Sequence, residues 1–178
     1  MKPLIVYYSH SGNNEKLAIE LRDRIGCDMY EIKENKKRKN ISILFDVLTK
    51  RNSRLAPLDF EVSDYGPVIL LAPVWAGKIA APMRTFIKRE KEALTDYSFI
   101  TLCSGATGQR EKILAELSAL TPQKPAVAAE LWINKLLPEE QRNKIKYTNN
   151  FRLEKQHMQQ FDSEIRFFIE MALHAKKQ

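Results

Sequence analysis

Short runs of consecutive apolar residues alternate along this chain with stretches in which apolar residues recur every three or four positions. The runs, each bounded by polar or turn-forming residues, predict five strands at 3–8, 28–33, 67–72, 97–103 and 126–131. The periodic stretches predict helices at 14–25, 41–50, 82–93, 109–120 and 156–175. In the first, Leu17, Ala18, Leu21 and Ile25 share a face; in the last, Phe161, Ile165, Phe168 and Ala172 do. Pro82 suits the first turn of its helix, where the missing amide hydrogen has no partner to lose.

Apolar segments that alternate with amphipathic ones predict an α/β fold, a doubly wound parallel sheet covered on both faces by helices. Sheets of this kind bind ligands beyond the carboxyl ends of their strands, near the point where strand order reverses. The loops after strands one, three and four should therefore converge, and they are the unusual ones. The first, Ser9, His10, Ser11, Gly12, Asn13 and Asn14, passes from a buried strand into small, hydroxylated and amide-bearing residues at a helix start, the composition of an anion site. The second, Pro73, Val74, Trp75, Ala76 and Gly77, sets a tryptophan among small residues; the third runs through Ser104, Gly105, Ala106, Thr107 and Gly108. Each also has a plainer reading: a turn with a helix cap, a core tryptophan, a tight strand-to-helix connection.

Composition narrows the picture. A chain of 178 residues, 44% hydrophobic, can bury one core, so a single domain over residues 1–178 is expected. No apolar stretch approaches the roughly 20 residues needed to cross a bilayer, and the first residues lack a secretory signal pattern, so a cytoplasmic location and no membrane partner are expected. Cys27 and Cys103 have no paired spacing and read as buried reduced thiols. His10, His157 and His174 lack metal-ligand spacing.

On its three loops the chain resembles the flavodoxin-like family, and the resemblance covers nearly its whole length. The 9–14 loop is similar to the family's hydroxyl-rich phosphate loop, 73–77 to its second flavin loop, and 104–108 to its third. The resemblance implies a five-stranded sheet of order 2-1-3-4-5 and flavin mononucleotide (FMN) as cofactor. It further implies that Ser9, Ser11 and the amides from Gly12 onward hold the phosphate, with His10 helping if it points inward. Trp75 would stack on the flavin ring, the Gly77 peptide would face its reactive nitrogen, and backbone of Ser104, Gly105, Ala106 and Gly108 would meet its pyrimidine edge. The family usually has threonine or serine where this chain has Asn14, whose amide can still donate.

Two departures bear on use. The third loop carries no aromatic to cover the outer ring face, which leaves that face open to a quinone or nicotinamide unless Trp132 or a residue of the following insertion covers it. The net charge is +7, of which +6 lies between Lys33 and Arg54, around an amphipathic piece with Ile41, Leu44, Phe45 and Leu48 on one face. Such a patch can steer an acidic redox protein, NAD(P)H or an anionic substrate, or be a solvated basic face. Without interleaved aromatics it gives little support to nucleic-acid binding. The polar 134–155 segment suggests a short helix near Pro138, with Tyr147 and Phe151 able to cover the flavin or meet a second subunit in a homodimer. The resulting expectation is an FMN protein that transfers electrons or reduces a small acceptor. The alternative is a non-catalytic module of the same fold that binds another phosphate ligand or none.

Overall fold

The computed structural model describes residues 1–34 and 53–174. The predicted 41–50 helix and most of the basic cluster lie outside the described residues. Five parallel strands form the main sheet: β1 (Lys2–Tyr7), β2 (Asp28–Glu31), β3 (Tyr65–Leu71), β4 (Tyr97–Cys103) and β5 (Ala128–Trp132). Their order is β2-β1-β3-β4-β5, as the sequence resemblance implies. Register follows from the apolar runs, with Ile5 beside Ile69 and Met29, and Phe99 beside Leu70 and Ala128.

Alternate residues of these strands feed two separate cores. Ile5, Tyr7, Ile69, Leu71, Ile100 and Leu102 face one side, with Leu17, Leu21, Phe161, Ile165 and Phe168 packed over them. Leu4, Val6, Val68, Leu70, Tyr97 and Phe99 face the other, beneath Met83, Phe86, Ile113 and Leu117. Burial on both faces is why β1 from Leu4 and β3 from Val68 run apolar at consecutive positions, whereas the edge strand β2, only partly buried, carries Asp28 and Glu31. Each fully buried leucine, isoleucine or phenylalanine contributes about 1.5–3 kcal/mol.

The covering helices are α1 (Asn13–Ile25), α2 (Ala81–Glu90), α3 (Gln109–Leu120), α4 (Ile145–Asn150), α5 (Lys155–Gln160) and α6 (Asp162–His174). Near Pro138 there are two 3₁₀ turns, Ile133–Lys135 and Glu139–Gln141. The helix expected over 156–175 is instead two. The Phe161 amide donates to Met158 O at 3.0 Å, a tightened turn that ends α5, and Phe161 O then accepts the first bond of α6 from Ile165 at 2.9 Å. This corner drives Phe161 fully into the core. Met158, Phe161, Ile165, Phe168 and Ala172 are spaced as in one continuous helix, so the pattern does not betray the break.

Candidate functional site

β1 lies where the chain turns from building outward through β2 to building the other way through β3, so the loops after β1, β3 and β4 meet at one edge of the sheet. In the first loop, Gly12 takes a left-handed conformation (φ 83°) and places α1 without a side-chain cap. Its leading amides therefore have no side-chain acceptor, and the Ser9 hydroxyl oxygen beside them is shielded from solvent without a hydrogen-bond partner. A buried hydroxyl lacking a partner is costly. Together with uncapped amides it forms a donor-rich cradle suited to an anion. Ser11 and His10 are exposed, and His10 meets Trp75 edge-on, ring centroids 5.9 Å apart. Rather than pointing into the cradle, His10 joins the first loop to the second.

The two asparagines do other work than donating to an anion. Asn13 Nδ2 donates to Phe151 O at 3.0 Å while its Oδ1 accepts from the Leu153 amide at 2.9 Å. Lys16 Nζ adds a bond to Leu153 O at 2.7 Å, so the 151–153 strand of chain is pinned along the start of α1. The Asn13 side chain is thus committed to backbone, and only its own main-chain amide serves the cradle. Asn14 Oδ1 accepts from Leu102 N at 3.0 Å, tying α1 to β4 and leaving only its NH₂ end for the loop. Phe151 is buried and packs on His157 in the core, so it does not lie over the site as a lid.

The second loop is a small hairpin. Val74–Trp75 pairs with Lys78–Ile79, and the turn places Ala76 (φ 49°) and Gly77 (φ 75°) in the left-handed region. It is held from below by Glu116 of α3, whose Oε2 accepts from the Ile79 amide at 2.7 Å and whose Oε1 lies 3.6 Å from Arg84 Nη1. Burial pushes the Glu116 carboxyl above its ordinary range, against the opposing pull of the Ile79 amide and Arg84. Pro73 and Val74 are buried, whereas Trp75 is half-buried and accessible as a ring surface. Lys112, also from α3, lies against Gly77, where a Cβ would come 2.8 Å from the lysine Cδ.

The third loop is anchored at both ends by one cluster. Gln109 Nε2 donates to Cys103 Sγ at 3.1 Å and to Glu130 Oε1, and the Cys103 thiol donates to the same carboxylate at 3.6 Å. Burial, reinforced by the Glu130 charge, pushes the Cys103 thiol up to about 12. Cys27 is likewise buried and free. Ser104, Ala106 and Gly108 are exposed, and Gly105 (φ 87°) lies so close to Trp132 that a Cβ would meet that ring at 2.7 Å. The aromatic missing from the third loop is therefore supplied next to it by the end of β5. Glu116, Gln109 and Glu130, which set the second and third loops, carry no local sequence signal as site residues. Their partners lie on other elements.

No protein-family model and no curated protein matches the sequence. Solved structures do match the fold. A flavoprotein from Lactobacillus acidophilus NCFM, determined in complex with FMN, superposes with a TM-score of 0.60 at 19% identity, over 72% of this chain and 92% of its own. A candidate flavoprotein from Bacteroides eggerthii DSM 20697 gives 0.65 at 16% identity, covering 91% and 96%. A WrbA-like flavodoxin from Agrobacterium tumefaciens gives 0.56 at 12% identity, covering 99% of both chains. The fold is flavodoxin-like.

Proposed function

We propose that this protein binds FMN at the edge formed by its three loops and serves electron transfer, to a protein or to a small acceptor. The observation that carries the reading is the solvent-shielded, partnerless Ser9 hydroxyl beside the uncapped start of α1, with the Trp75 ring joined to the same loop through His10. The residues fit the cofactor. Ser9 Oγ and the amides of Gly12, Asn13 and Asn14 would hold the phosphate without a charged side chain, Trp75 would flank the ring, and the Gly77 peptide is free to reorient because glycine tolerates both signs of φ. Ser104 to Gly108 would offer backbone to the ring edge, with Trp132 behind. When bound, FMN supplies one- and two-electron chemistry, and the protein sets its access and potential. No side chain need act as a catalytic acid or base. The FMN complex of the Lactobacillus protein on the same fold supports the reading.

The test is the visible spectrum after incubation with excess FMN and removal of free ligand, followed by anaerobic NADPH. Retained flavin that NADPH bleaches assigns a reductase. Retained flavin that it leaves oxidised assigns a carrier fed by a protein donor. Absence of retained flavin overturns the reading in favour of a non-catalytic module of the same fold that binds another phosphate ligand or none, an alternative consistent with the diversion of the Asn13 side chain to backbone.

A further inference from the structure

A cavity of about 410 Å³ opens beside the third loop, on the side of Trp132. Its walls are residues 105–107, the Trp132 ring, Lys135, Arg142 and the Asn134–Asn143 pair, with no residue of the first or second loop. Its size falls within the roughly 300–1,000 Å³ of small-molecule sites. Its lining includes two cations, Lys135 and Arg142, and no carboxylate, though Lys135 is matched from outside the wall. The wall is also built rather than incidental. Asn134 Nδ2 donates to Asn143 Oδ1 at 2.9 Å and the Asn143 amide returns a bond to Asn134 Oδ1 at 3.0 Å, closing the 134–143 loop at its base. Leu137 is buried in the core, and its carbonyl accepts from Arg142 Nε at 3.0 Å. That bond fixes the guanidinium stem and leaves the two Nη groups without a carboxylate partner among the described residues. Lys135, by contrast, is paired with Glu164 at 3.1 Å. Gly105 lies close against the Trp132 ring, where a Cβ would come within 2.7 Å.

We propose that this cavity binds a small planar aromatic acid, its carboxylate, sulfonate or phosphate held by Arg142 and its ring flanked by Trp132. An exposed guanidinium with free Nη groups suits an oxyanion in a forked geometry. Because residues 105–107 belong both to this cavity and to the proposed flavin edge, the ligand would be the small acceptor of the function proposed above, and that role rests on the FMN reading. Binding itself does not.

The probe is anthraquinone-2-sulfonate, compared with neutral 2-(hydroxymethyl)anthraquinone. Trp75→Phe leaves Trp132 as the sole tryptophan, and flavin-free protein is used so that its quenching reports the probe and not a flavin. Saturable quenching is expected, at least tenfold tighter for the sulfonate. Arg142→Met should erase that preference, Arg142→Lys should restore part of it, and Lys135→Met should change it less than twofold. Equal affinity for both probes, or an unchanged preference in Arg142→Met at unchanged melting temperature, overturns the proposal. FMN titration of Arg142→Met separates the two claims. Unaltered FMN affinity is expected, and a parallel loss would place Arg142 in the flavin site and refute a distinct cavity. Failure of the wild-type chain to bind FMN would refute the flavin reading while the quenching result still decides the cavity.

Discussion

Replacing Asn13 by alanine should lower stability by about 2–4 kcal/mol. The side chain makes two bonds to backbone 138 and 140 residues away, at 3.0 and 2.9 Å, and Leu153 at their centre is fully buried. Truncation leaves a carbonyl and an amide unpaired in the interior, at about 1–3 kcal/mol each, and partial hydration or rearrangement brings the sum below the upper limit. Asn13→Asp keeps an acceptor for the Leu153 amide but sets a buried carboxylate oxygen against Phe151 O, so it should not recover the stability lost in the alanine variant. Urea denaturation gives the stability change, and native-state hydrogen exchange should show the Leu153 amide opening faster. Because the side chain is spent on residues 151 and 153, the stability loss should exceed any loss of FMN binding free energy measured on the folded protein. A stability change below about 0.5 kcal/mol, with FMN affinity lost, would refute the clamp and return Asn13 to the phosphate.

Three further outcomes follow from the loops. Gly105→Ala, which forces a methyl to within 2.7 Å of the Trp132 ring at a φ of 87°, should cost about 1–3 kcal/mol and shift tryptophan emission, read by thermal melting and fluorescence. Glu116 has its carboxyl raised by burial, so its folded form favours the protonated state. Wild-type stability should therefore fall relative to Glu116→Gln as pH rises from the ordinary 4.5 through the raised value, and parallel stability–pH curves would contradict the assignment. Cys103, with its thiol at about 12 and buried, should resist iodoacetamide at pH 8 until the protein unfolds, and rapid labelling of the native protein would contradict the Gln109–Glu130 enclosure.

The central strands and most helices were legible because burial on both sheet faces leaves apolar runs in β1, β3 and β4 and burial of one helix face leaves a period near 3.6. β4 and α3 match their predicted limits, and the third strand begins two residues earlier than the apolar run, at Tyr65. The break at Phe161 was not legible, since its spacing fits a continuous helix and only packing ends the first. The three loops announce themselves through glycine, hydroxyl and tryptophan content. The partners within them do not. Asn13 looks like a phosphate donor from its neighbours in sequence, and only the return of residues 151–153 shows where its amide goes. Nor does spacing reveal that Trp132 comes to lie on Gly105.

The central claim is that the first loop holds the phosphate of a flavin nucleotide. Fluorescence titration of the wild-type protein with FMN and with riboflavin tests it most directly, because the two ligands share the ring and differ by the phosphate. The account predicts FMN binding at least 100-fold tighter than riboflavin, with Ser9→Ala lowering that ratio. Equal affinities, or a ratio unmoved by Ser9→Ala, would contradict it.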